Sequence, residues 1–186
     1  MNKREYLIKL EANCGKAASY FNEIESNDGP PIDIIGFDDY PQKGQFTYFS
    51  YGLHMVKKPE WKFGRPEYFI TLGNGDRQFA TFFGYLISAF AWEKVMGWNT
   101  LIGVGDEDAV EGYPYRRIAL GPPMYLNWES YAVEDDDLPI NFGMAYLISD
   151  ADFEKAAKAG FGYLAQKSEE NYDCWRTVQR RVRFGD

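Results

Sequence analysis

The sequence predicts an α+β protein, and three features point to that class. Short runs rich in β-branched and aromatic residues recur along the chain. Two stretches, one at the start and one in the middle, carry apolar residues at helical spacing. A third helical stretch, preceded by a capping residue, follows the last of the short runs.

The first element is an amphipathic helix. Apolar residues fall at Leu7, Leu10, Cys14, Ala17, Phe21 and Ile24, alternating three and four apart, and the helix is expected to fill residues 1–27. It should end near Ser26, because Asn27, Asp28, Gly29, Pro30 and Pro31 supply breakers. The same spacing suits a coiled-coil seam, but it lasts under three heptads and includes small residues, so packing against the domain is expected. Three strands then follow, IDIIGF (32–37), QFTYFSYGL (45–53) and PEYFITLG (66–73), as a mainly antiparallel meander. FTYFSYGLHMV (46–56) reads as one core strand covered on both sides, with Phe46, Tyr48, Ser50, Gly52 and His54 on one face.

The stretch from Gly73 to Val95 is a long, buried central helix, with Asp76 as its cap and Phe79, Phe82, Phe83, Leu86 and Phe90 on one face. Residues 78–92 carry no charge, yet this falls short of the roughly 18 apolar residues of a membrane span. NTLIGVG (99–105), RRIALGPP (116–123) and INFGMAYLIS (140–149) are further strands, the second stopped by two prolines that cannot donate to a ladder. Ser149, with Asp152 three residues on, caps the next helix, and another short helix starts near Phe161. The end of the chain, 172–186, is basic, with Arg176, Arg180, Arg181 and Arg183. No repeat or linker divides the 186 residues, so one domain spanning 1–186 with a core over 30–165 is expected.

A net charge of −8 argues against nucleic-acid binding, which needs a basic face, and favours basic partners. Aromatic residues make up 18% of the chain, enough for both a rich core and an aromatic-lined surface. Cys14 and Cys174 lie at opposite ends without CxxC spacing, and a disulfide between them would need Cα atoms within about 7 Å. With a single histidine, His54, the usual Cys/His zinc site cannot be completed. The N-terminal segment is charged from residue 3 and lacks the continuous apolar centre of a signal peptide, so a cytoplasmic, reduced protein is expected.

Chemistry is sparse. Ser50 and His54 share a strand face, but an offset of four separates their Cα atoms by about 13 Å, so a satisfied structural histidine is expected in place of a general base. Gly73, Asn74 and Gly75 stand before a helix without the spacing or lysine of a phosphate loop, and Gly103 and Gly105 precede an acidic loop. Asp38 and Asp39 are adjacent carboxylates in a loop, where the fixed geometry of an acid–base pair is rarely held. Two acidic clusters stand out, Asp106, Glu107, Asp108 and Glu111, then Glu134, Asp135, Asp136 and Asp137, without the alternation of a calcium loop. They are either solvated surface or a face that steers a basic partner, with Tyr113, Tyr115, Tyr125, Trp128 and Tyr131 as anchors.

The order of motifs resembles the suppressor-of-fused (SUFU) domain family. The residues that carry the resemblance are Ser50-Tyr51-Gly52-Leu53, Glu67-Tyr68-Phe69-Ile70-Thr71-Leu72, Asn99-Thr100-Leu101-Ile102, Ile118-Ala119-Leu120-Gly121-Pro122-Pro123, and the run from Phe142 to Gly160. They cover most of residues 30–165. The resemblance implies a mixed, largely antiparallel sheet flanked by helices, no enzymatic activity and no cofactor. In animals the family member is a two-lobed repressor that clasps a transcription-factor peptide in Hedgehog signalling; this chain resembles one lobe, so that clamp is not carried over. For a bacterial single-domain member the resemblance implies an immunity protein that neutralises a secreted toxin. His54 stands where the family has a small polar residue.

Sequence and resemblance together lead to a non-enzymatic, cytoplasmic protein-binding domain. Asp106, Glu107, Asp108, Tyr113, Tyr115, Glu134, Asp135, Asp136 and Asp137 are its candidate partner-binding residues, and a basic toxin domain is the candidate partner. The alternative is an enzyme that uses carboxylates, with or without His54, on a small polar substrate. A homodimer paired through an aromatic patch is a third reading.

Overall fold

A computed structural model of the chain describes residues 1–24, 31–73, 77–93, 97–103, 117–123, 132–133 and 138–170. Helix α1 (Lys3–Cys14) is opened by a capping box. In that box Glu5 N–H donates to Asn2 Oδ1 at 3.0 Å and Asn2 N–H donates to Glu5 Oε2 at 3.3 Å. The helix ends earlier than its apolar spacing predicts. Gly15 takes φ +85°, Glu11 Oε1 accepts from Ala17 N–H, and Ala18 N–H donates to Gly36 O. Ser19–Ile24 then forms strand β1, paired antiparallel with β2 (Ile32–Asp38). Sheet pairing of an aromatic segment has overridden a helical pattern that continued through Phe21 and Ile24.

Strands β2, β3 (Phe46–Tyr51) and β4 (Arg65–Leu72) make the predicted antiparallel meander. Helix α2 (Arg77–Glu93) follows, then β5 (Thr100–Gly103), β6 (Arg117–Gly121), the short β7 (Ala132–Val133) and β8 (Ile140–Ile148). The described strands form one sheet in the order β1-β2-β3-β4-β8-β6-β5, with β7 paired beside β8. Its one parallel pair, β4 with β8, makes the sheet mixed and places β8 near its centre. Helix α3 (Asp150–Ala159) starts where predicted, because Ser149 Oγ accepts from Asp152 N–H at 3.1 Å, and it closes at Gly160. Helix α4 (Gly162–Glu170) completes the described chain.

Both faces of the sheet are covered, as the unbroken apolar character of the strands requires. On one face α2 packs Phe79, Phe83 and Leu86 against Ile34, Ile70, Leu120 and Leu147. Only a narrow strip of α2, Gln78, Thr81 and Tyr85, is exposed among its described side chains. On the other face α1, α3 and α4 cover Phe37, Phe49, Phe69, Phe142, Met144 and Tyr146 with Tyr6, Leu10, Ala156 and Leu164. Phe49 stands edge-on to Phe37 and to Phe142 and lies against Phe69, so one aromatic ring ties three strands into this layer.

Candidate functional site

The polar centre of the fold lies at the end of β3. The strand does not run on to Met55 as its sequence predicts. Gly52 takes φ +129°, and Leu53–Met55 wind into a 3-10 turn. Only glycine fits there, since a Cβ would sit 2.5 Å from Pro31 O. The pairing of β3 with β4 reaches Phe49 opposite Phe69; beyond it, Tyr68 N–H donates to Ser50 Oγ at 2.9 Å.

The turn aims its donors at one carboxylate. Glu67 Oε1 accepts from Gly52 N–H at 2.8 Å, from His54 N–H at 3.0 Å and from His54 Nδ1 at 2.6 Å. Glu67 Oε2 accepts the Ser50 hydroxyl. Glu67, Ser50 and His54 are all buried. Four donors around one carboxylate offset much of the cost of removing it from water.

Helix α1 closes this cluster. The Tyr6 ring stacks on His54 at 6.1 Å between centroids and an interplanar angle of 11°, and its hydroxyl donates to Ser50 O at 2.8 Å. Tyr51 stands edge-on to His54 at 5.0 Å, and its hydroxyl donates to Met1 O. Lys3 Nζ, 2.6 Å from Asp33 Oδ2, pins the start of the helix. Burial, with the Glu67 charge next, pushes the Tyr6 hydroxyl well above its ordinary pKa. Burial and Glu67 raise Tyr68 in the same way.

Ser50 and His54 therefore do meet, through Glu67, because the chain turns between them. The arrangement is unlike that of a nucleophile and its base. Both side chains end on the same carboxylate, whereas a base would face the hydroxyl directly. The remaining ring nitrogen, Nε2, is buried without a hydrogen-bond partner, so the histidine is only half satisfied. The sequence pattern places His54 in a strand and marks Glu67 only as part of a family motif, with no polar partner assigned to it. The available signals were a glycine inside a strand pattern, which marks a bend, and a carboxylate flanked by apolar residues in a strand covered on both faces.

All nine candidate partner-binding residues, Asp106, Glu107, Asp108, Tyr113, Tyr115, Glu134, Asp135, Asp136 and Asp137, lie outside the described residues. The first five fall between β5 and β6, and the last four between β7 and β8. The basic segment 172–186 and the cap Asp76 lie outside them too. Asp38 is the exposed last residue of β2 and Asp39 opens the turn after it, in which Asp39 Oδ1 accepts from Gly44 N–H. Among the described residues no group of three or more His, Cys, Asp or Glu side chains could hold a metal ion. None of the described helices is long and apolar enough to cross a membrane. An apolar groove lies apart from His54, where Leu101 and Pro122 meet Ala156, Phe161 and Ala165.

No protein-family model matches the sequence, and no curated protein matches it. Solved structures do match the fold. The chain is similar to a putative SUFU (suppressor of fused protein) homolog from Neisseria gonorrhoeae, with 13% identity and a TM-score of 0.66 over 90% of this chain and 88% of that one. It is also similar to the structure of the Sufu–Fu complex, with 12% identity and a TM-score of 0.59 over 87% of this chain and 82% of that one. At such identities the likeness establishes the fold, a mixed sheet flanked by helices.

Proposed function

Because the chain carries the suppressor-of-fused fold, we propose that it is a non-enzymatic protein-binding domain, and that it serves in the cytoplasm as an immunity protein that neutralises a basic toxin domain. The observation that carries the reading is the fold shared with a Sufu–Fu complex over 82% of that chain. Net charge supports a basic partner, since −8 on a chain of this size steers cations toward it. The closed geometry around Glu67 supports binding over catalysis: an acid–base site needs a group that can reach substrate, and His54 is 1% exposed.

The test is a pull-down from lysate of the source organism at low and high salt, followed by expression of the captured protein. The reading expects a basic protein that is lost at high salt, is toxic when expressed alone and is harmless beside this chain. Absence of such a partner, or toxicity that persists in the presence of this chain, would overturn it.

A further inference from the structure

The apolar groove beside α3 and α4 has a volume of about 660 Å³. Leu101 of β5 and Pro122 after β6 line it from the sheet, and Ala156, Ala157, Phe161 and Ala165 line it from the two helices. Its sheet side is firmly packed. Phe161 lies so close on Gly121 that a Cβ there would come 2.8 Å from its ring, and the Tyr146 hydroxyl donates to Pro122 O. The outer side is open: Ala157, Gly160, Gly162 and Ala165 are exposed, and a Cβ on Gly160 or Gly162 would meet nothing within 4 Å. Among the described lining residues only Asn99 has a polar side chain. A groove walled by small apolar residues suits an occupant with large apolar ones.

The chain itself supplies such an occupant next to the groove. Residues 171–186 follow Glu170, the end of α4. Ala165, on the groove wall, precedes Glu170 by only about 7.5 Å along the helix axis. A segment of this length reaches up to about 50 Å when extended, so it can turn back along α4 and cover the whole groove. Asn171 and Asp173 are turn residues. Beyond them Trp175, Val178 and Val182 fall three and four apart, the spacing of one helix face, and Arg176, Arg180, Arg181 and Arg183 fall off that face. The tether holds these side chains beside the groove at an effective concentration on the order of millimolar, which a separate partner at micromolar levels does not match.

We propose that the C-terminal segment, residues 171–186, docks in this groove of its own molecule through Trp175, Val178 and Val182. An apolar stripe and an apolar groove that would each face water then cover one another, and the groove is closed to other proteins while the segment is seated. The proposal goes beyond the toxin-binding reading and does not depend on it.

Limited trypsin digestion of the full chain tests it, with mass spectrometry reading cleavage after Arg176, Arg180, Arg181 and Arg183 and the free 171–186 peptide as reference. A seated segment is cut only when it opens, so the cleavage rate reports the open fraction. The expected rate is well below that of the peptide and independent of protein concentration. Trp175→Ser/Val178→Ser on the segment and Ala157→Gln in the groove should each raise it about 10-fold or more. Ala151→Gln, exposed at the start of the same helix and outside the groove, should leave it unchanged. Ala157 is exposed, so Ala157→Gln should keep the urea midpoint of the parent; if it does not, Ala165→Gln decides. Cleavage of the parent as fast as the free peptide, or a rate indifferent to the segment variant or to the deciding groove variant, would overturn the proposal. So would protection that is lost on dilution, which would seat the segment in a second copy.

Discussion

His54 Nδ1 lies 2.6 Å from Glu67 Oε1, and helix α1 covers the pair with the ring of Tyr6. The contact joins a turn to a strand 13 residues away. Through Ser50 and Tyr6 the same cluster gathers the end of β3 and the N-terminal helix. A polar network so fully engaged on its carboxylate favours one arrangement of these elements, because each alternative leaves a buried donor without an acceptor.

Removing that carboxylate is therefore predicted to be severe. Glu67→Ala strands the N–H groups of Gly52 and His54 and the Ser50 hydroxyl, at an expected cost of about 3–5 kcal/mol. Glu67→Gln keeps one acceptor but turns an amide N–H₂ toward donors, and is expected to cost about 1–3 kcal/mol. Urea unfolding of the two variants measures both values. A loss under about 1 kcal/mol in Glu67→Ala would show that the network does not hold the fold.

Tyr6 separates packing from hydrogen bonding. Tyr6→Phe keeps the stack on His54 and loses only the bond to Ser50 O, at about 1 kcal/mol. Tyr6→Ala opens a cavity over His54, Tyr51 and Phe142 and is expected to cost about 3–5 kcal/mol. Hydrogen exchange should show faster exchange at the Gly52 and His54 amides in Tyr6→Ala and near-parent exchange in Tyr6→Phe. Equal protection in both variants would remove α1 from its role as cover.

Much of this architecture is legible in the sequence, and its two misreadings have different causes. The strands from Ile32, Phe46 and Arg65, the helix after Gly73 and the Ser149 cap follow from local pattern, because burial on both faces and capping are local signals. The end of α1 is misread because Phe21 and Ile24 continue a helical spacing, while pairing with β2, a non-local partner, decides their conformation. His54 is misread for the opposite reason. Gly52 ends the strand locally, but what the turn achieves depends on Glu67, whose burial no local pattern records.

Gly52 gives a sharp comparison with a second glycine. Both Gly52 and Gly44 have positive φ, but a Cβ at Gly44 meets nothing within 4 Å, while one at Gly52 meets Pro31 O at 2.5 Å. Gly44→Ala should cost only backbone strain, about 1 kcal/mol. Gly52→Ala must also move the chain at Pro31 or the turn that carries His54, so its cost should exceed that of Gly44→Ala by about 2 kcal/mol or more. Chemical denaturation of the pair measures the difference, and equal costs would mean that the turn is free to shift.

Cys14 reports the same helix from its other end. Burial raises its thiol from 9.0 to about 11, and a hydrogen bond with the Tyr40 side chain opposes part of that rise. The folded-state pKa lies above the unfolded one, so the stability linked to this thiol is complete below pH 9 and is lost as pH climbs from 9 toward 11. In a Cys174→Ser background, alkylation by iodoacetamide should rise with pH toward a midpoint near 11. A midpoint at the ordinary thiol value would place Cys14 in water and undock the end of α1.

Asp152 carries the corresponding prediction in acid. Partial burial alone would raise its pKa, but hydrogen bonds from Lys167, Ser149 and Tyr163 outweigh burial and hold the carboxylate below 3.8. Lys167 Nζ lies 2.6 Å from each of its oxygens and Tyr163 donates at 2.9 Å, so the residue clasps α4 to α3. A lowered folded-state pKa gives stability that is present above 3.8 and is lost as pH falls through the folded value. Asp152→Asn should then cost about 1 kcal/mol near neutral pH, since Lys167 is partly exposed and water screens the pair. The difference between parent and variant should stay constant down to about pH 4 and shrink below it. Urea midpoints measured across that range decide the matter: a gap that persists unchanged in strong acid would mean that Asp152 acts through shape and neutral hydrogen bonds, with no part played by its charge.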